Sequence, residues 1–175
     1  MRFLLLGALL AALAGPAAGE QPYAGLQHRD VKALSAEQID DLRAGRGMGM
    51  ALAAELNGYP GPVHVLELAD DLHLSAEQRR TVTALYEAMK AEAVPLGERL
   101  IADEAALERL FAERSATAAT VEAATAAIGR THGALRAAHL RYHLATLALL
   151  RPHQVARYAE LRGYTGGQAE HHHKH

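Results

Sequence analysis

Between Ala76 and Arg114, apolar side chains recur at Val82, Leu85, Met89, Ala93, Leu96, Leu100, Leu107 and Phe111, at spacings built from threes, fours and sevens. That spacing follows a helical turn of about 3.6 residues and predicts one long amphipathic helix, which Pro95 and Gly97 should kink. A second run, Ala118 to about Leu150, follows the short stretch "RSATAAT", where Thr117 is suited to cap a new helix. Two long helices joined by so short a turn are expected to run antiparallel.

Shorter helical patterns flank this pair: Ala36 to about Arg43, Met48 to Leu56, Pro62 to about Leu72, and Pro152 to about Arg162. Gly45, Gly47 and Gly49 separate the first two. No strand precedes these glycines and no Lys-Ser/Thr follows, so they do not read as a phosphate loop; they are expected to let two helices cross closely. No segment reads as a strand. The predicted fold class is all-α, a long antiparallel helical hairpin with short flanking helices at its open end.

The pentapeptide "LSAEQ" occurs at Leu34–Gln38 and again at Leu74–Gln78, and "LRPHQ" at Leu150–Gln154 is a blurred third copy. Ser35/Gln38 and Ser75/Gln78 fit a capping box, in which the serine oxygen and the glutamine side chain satisfy each other's backbone N–H groups. In the third copy Arg151 cannot cap as a hydroxyl does, and Pro152 compensates by fixing the first helical residue.

Composition narrows the setting. Arg2 precedes an apolar run, Phe3 to Leu13, which breaks at Gly15-Pro16 before the small residues Ala17-Ala18-Gly19. Residues 1–19 therefore read as a cleaved secretory signal, too short for a comfortable membrane span, and no stable membrane insertion is expected afterwards. Residues 20–33 read as a flexible arm, 34–164 as one helical domain, and 165–175 as a flexible His-rich tail. Cysteine is absent, which excludes disulfides and thiolate metal sites. The formal charge of −2 becomes −3 when Arg2 leaves with the signal, 17 basic against 20 acidic residues. That balance and the scarcity of aromatics speak against nucleic acid as a partner. Ser35 and Ser75 are occupied by capping and Asp70-Asp71 lies on an exposed helix, so no enzyme activity is expected.

An exported, small, all-helical chain with one Leu-(Ser/Thr)-x-x-Gln motif before its long hairpin and another after it resembles the periplasmic Spy/CpxP family, which includes ZraP and CnrX-like heavy-metal sensors. The resemblance covers roughly 63–164 and is carried by "LHLSAEQRR" (Leu74, Ser75, Gln78), the hairpin, and "LLRPHQVARYAEL" (Leu150, Gln154). It implies a periplasmic homodimer of hairpins forming a cradle, acting as an ATP-independent chaperone or a metal-responsive stress protein. Its partners would be unfolded or misfolded envelope proteins, or a membrane sensor or regulator. A client groove would be lined by Leu85, Met89, Leu96, Leu100 and Phe111, the stripe that must also build the core.

Eleven histidines suggest the second role. His132, His139 and His143 are spaced by seven and four on the second long helix, within an arc of about 40° that also holds apolar residues, so they should point at a partner helix. His139 and His143, at i and i+4, can share one divalent transition metal, Zn, Ni, Co or Cu. With the turn centred near residue 116, Met89 should face His143, and Glu92 or Ala93 should face His139. CnrX-like members use His, Glu and Met from separate helices, so the resemblance supports this set. Packed or interface histidines are the alternative. His64, Glu67 and Asp71 share a face as further candidate ligands or as solvated polarity, and the tail's His171, His172, His173 and His175 suggest flexible metal capture. Met48 and Met50 are either ligands that attract Cu(I) or gap-fillers beside glycine.

Overall fold

Ser75 and Thr117 open the two long helices. Ser75 Oγ accepts the Gln78 N–H at 3.1 Å while Gln78 Oε1 accepts the Ser75 N–H at 3.0 Å, and Thr117 and Thr120 exchange an equivalent pair. These bonds satisfy N–H groups that a helix start otherwise leaves free. The computed structural model describes residues 22–165. After a 3-10 turn at Leu26–His28 come six helices: α1 (Ala36–Arg43), α2 (Leu52–Glu55), α3 (Pro62–Glu67), α4 (Ala76–Ala112), α5 (Ala118–Leu147) and α6 (Pro152–Leu161). The described chain is all-helical and has no strand, and none of its helices is long and apolar enough to cross a membrane. The signal segment and His171, His172, His173 and His175 lie outside the described residues.

Helices α4 and α5 pack together, residue numbers falling on one as they rise on the other. Thr131 donates to Asp103 at 2.7 Å, and Tyr142 donates to Glu92 at 2.7 Å. Around this pair lie two apolar clusters. Leu42, Met50, Ala93, Leu100, Ile101 and Leu135 join α1 and the segment after it to α4 and α5. Val65, Leu72, Leu74, Val82 and Tyr158 join α3 and α6 to the start of α4.

Several expectations change. The segment read as a flexible arm is anchored at its end: Val31 is buried in the first cluster, and Lys32 binds Glu108 through both its backbone N–H and its ammonium. Apolar burial and a charge-assisted bond outweigh its lack of periodicity. The helix expected from Met48 begins only at Leu52, because Met48 and Gly49 have φ of 44° and 76°, outside the helical range. Likewise α3 stops at Glu67 and the chain reaches His73, φ 49°, through turns.

The stripe read as a client groove divides. Met89 and Leu100 are buried, Leu85 and Leu96 are half-buried, and Phe111 is 59% exposed near the far end of α4. Met89 and Leu100 are therefore unavailable to a client in this fold, because the shorter helices and α5 cover that part of α4.

The motif copies also differ. Copies two and three meet: Gln78 Nε2 donates to Gln154 Oε1 and to the Leu149 carbonyl, both at 2.8 Å, and Gln154 Nε2 donates to the Leu72 carbonyl at 3.1 Å and to Gln78 Oε1 at 3.2 Å. Gln154 Oε1 also accepts the Arg151 N–H at 2.9 Å, so half a capping box survives without a hydroxyl. Leu74 and Leu150 pack in the second cluster beside this amide pair. The first copy closes only its own capping box, and Gln38 is exposed. Gln154→Ala leaves the buried Leu72 carbonyl without its donor and removes both bonds to half-buried Gln78, and is expected to cost about 2 kcal/mol in urea denaturation. Gln38→Ala, losing only a surface cap bond, should cost about 0.5 kcal/mol.

Candidate functional site

The segment between α1 and α3 passes over α5 and makes one wall of a cavity of about 270 Å³. Met48, Glu55 and His64 line it from that segment and from α3; Met89 lines it from α4; His139 and His143 line it from α5. The two α5 imidazoles lie one turn apart and face this segment. A Cβ on Gly47 would lie 3.7 Å from His139 Nδ1, and one on Gly61 would lie 2.8 Å from His143 Cε1. Gly61 is thus required for the fit of the His143 ring.

His139 is 2% exposed, and its Nε2 is buried without a hydrogen-bond partner. Burial, together with neighbouring His143, pulls its pKa below the ordinary histidine value, so the ring is neutral at neutral pH. His143, 7% exposed, lies 2.7 Å through Nδ1 from the Tyr59 carbonyl. A carbonyl only accepts, so Nδ1 carries the proton and, in the neutral ring, Nε2 carries the lone pair. A carbonyl behind one ring nitrogen is the arrangement that orients metal-binding imidazoles.

Glu55 is the buried anchor of the same wall. Its Oε1 accepts from the Tyr158 hydroxyl, from the Tyr164 hydroxyl at 3.0 Å and from His64 Nδ1 at 3.2 Å, while Oε2 accepts the Gly61 N–H at 3.2 Å. Arg162 Nε lies 3.6 Å from Oε1 and His143 Nδ1 lies 3.7 Å from Oε2. Burial alone would raise the Glu55 pKa, but the bonds from His64, Tyr158 and Tyr164 outweigh it and lower the pKa to about 2. Burial and the carboxylate push the Tyr158 hydroxyl pKa upward. The periodicity of its segment did not mark Glu55. The available signal was that it is the only formally charged residue between Arg46 and Glu67, in an otherwise apolar run.

Of the residues singled out by pattern, Met89, His139 and His143 share the cavity. His132 is exposed farther along α5, away from the cavity. Glu92 does not face His139: it accepts from Tyr142 and Arg141, and these bonds hold its pKa below the usual carboxylate value. The pairing of α4 with α5 is close to the expected register, but the rotation of each helix about its axis is not readable from spacing. Likewise, His139 and His143 face the segment between α1 and α3, and His132 faces solvent. His64 turns to Glu55 while Glu67 and Asp71 are exposed, so those three do not converge. Met50 is core.

No set of three His, Asp or Glu side chains that could hold a metal ion occurs among the described residues. Besides His64, which is turned to Glu55, the cavity offers the imidazoles of His139 and His143 and two thioethers, a donor set suited to a soft or borderline ion. In the tautomer that leaves the lone pair on Nε2, the orphaned His139 Nε2 fits such an ion, since a metal can satisfy a lone pair where no hydrogen-bond donor is available. Compared with models of known protein families, with characterised proteins and with solved structures, the chain matches none.

Proposed function

We propose that the chain is an exported, metal-responsive protein of Spy/CpxP type, whose cavity takes a transition-metal ion at His139 and His143 with Met89 beside them. The observation that carries this reading is His139 Nε2: buried, unpartnered and one turn from an imidazole already oriented by the Tyr59 carbonyl. His139 and His143 would hold the ion with Met89 beside them, and it would supply a Lewis-acidic centre there. The chain's own residues set the response. Glu55 connects that wall to Tyr158 of α6 and to Tyr164, so a shift at the cavity is transmitted to the end of the fold, where a membrane regulator can read it.

A second reading, chaperoning of unfolded envelope proteins by a dimeric cradle of hairpins, draws on Leu52, Leu56, Phe111 and Leu144. All four expose more than half their surface. The two readings separate in one set of measurements on the signal-free chain carrying His171→Ala, His172→Ala, His173→Ala and His175→Ala, which removes tail binding. About one ion of Zn, Ni, Co or Cu per chain should survive dialysis and be lost in His139→Ala and His143→Ala. Metal content indifferent to both changes would sink the metal reading. Full suppression of client aggregation in the presence of chelator would favour the chaperone.

A further inference from the structure

The metal reading leaves the ion open among four, and the cavity's donors discriminate between them. We infer that the site is selective for a cuprous ion, held by His139 and His143 with the thioethers of Met48 and Met89. This inference rests on the proposal that His139 and His143 bind metal at all.

Hard and borderline divalent ions need further nitrogen or oxygen donors, and here these are committed elsewhere. Both Glu55 oxygens accept bonds from Tyr158, Tyr164, His64 and Gly61, and His64, turned to Glu55 through Nδ1, does not converge with the α5 pair. Among the described residues no third carboxylate or imidazole joins His139 and His143 in a ligating trio. Zn, Ni and Co would thus have to complete their shells from water. A d10 cuprous ion is content with few ligands and prefers thioether sulfur, for which imidazole is a suitable companion.

Met48 supplies the second argument. It has φ 44°, a left-handed conformation uncommon for a residue with a side chain, and Gly49 beside it has φ 76°. The long apolar side chain of Met48 is 37% exposed and lines the cavity. Met50, two residues on, is buried in the first cluster and shows what a gap-filling methionine does in the same segment. Core packing therefore accounts for Met50 and not for Met48. Met89 lies buried in the cavity wall contributed by α4, so the two thioethers come from different elements. In a chain without cysteine the methionine thioethers are the soft donors, and Met48 and Met89 are the ones that line this cavity.

The test uses the signal-free chain with the four tail histidines changed to Ala. Cu(I) is titrated anaerobically against a colorimetric cuprous chelator, alongside Zn(II), Ni(II) and Co(II), and X-ray absorption reports sulfur neighbours of bound copper. Cu(I) should bind at one equivalent and most tightly, with copper–sulfur scattering. Met48→Leu and Met89→Leu should each weaken Cu(I) binding by about tenfold or more and reduce that scattering, with Zn(II) binding and the thermal midpoint nearly unchanged. Met50→Leu should leave Cu(I) affinity as it was. Equal or tighter binding of Zn(II), Ni(II) or Co(II), or Met48→Leu and Met89→Leu both neutral toward Cu(I), overturns the cuprous assignment and leaves the metal reading standing. If no ion binds, or binding ignores His139→Ala, both fall together.

Discussion

Glu55→Ala is expected to lower stability by about 3 kcal/mol at pH 7, measured by urea denaturation. The side chain is 7% exposed and accepts from two tyrosine hydroxyls, His64 and the Gly61 N–H. Its removal strands those donors in a buried site. The pH dependence has a definite sign. The folded pKa is lowered from 4.5 to about 2, so the carboxylate's contribution is complete above about pH 4.5 and is lost as pH falls through 2. The stability gap between the parent chain and Glu55→Ala should narrow to about 1.5 kcal/mol by pH 3. A gap that stays constant from pH 7 to pH 3 would mean that Ala disturbs packing alone and that the carboxylate's charge carries no stability. Glu55→Gln, which keeps the shape but not the charge, should fall between the two.

Gly97→Ala should destabilise the fold by about 2 kcal/mol even though alanine is the better helix former by about 1 kcal/mol. An added Cβ at Gly97 would lie 2.4 Å from the Leu42 carbonyl oxygen and 2.9 Å from its carbon. That obstacle is backbone and cannot swing aside, so α1 must lift from α4 and loosen Leu42, Ala93 and Leu100. Gly129 and Gly133, exposed on α5 with nothing within 4 Å of a built Cβ, provide the internal control. Gly129→Ala and Gly133→Ala should each raise stability by up to about 1 kcal/mol. Thermal midpoints moving in the same direction for all three would refute a close helix crossing at Gly97.

Local pattern and one short connection account for much of this chain. Ser35, Ser75 and Thr117 cap the helices their neighbours demand. The apolar spacing marks both long helices, and a turn near residue 116 brings Met89, His139 and His143 to one place. Such features are readable from sequence because they depend on neighbours within a turn or two, or on a register that a single connection sets. Other features are not readable. Glu92 faces Tyr142 and Arg141 because of a rotation about the helix axis that spacing does not specify. That Gly97 admits the α1 backbone at Leu42 is likewise not readable from its place within α4.

The same division runs through the repeated pentapeptide. Its local chemistry, a serine and a glutamine closing a helix start, is identical in copies one and two and needs only the atoms of a capping box. Whether the glutamine does anything more depends on what folding brings beside it: solvent for Gln38, and for Gln78 a second amide 76 residues away. Glu55 is the extreme case, joined to Tyr158 and Tyr164 across 103 and 109 residues. Helix identity follows from short-range hydrogen bonding and apolar period. The partners of a buried charge follow from chain packing, where burial makes each missing bond costly enough to select one arrangement.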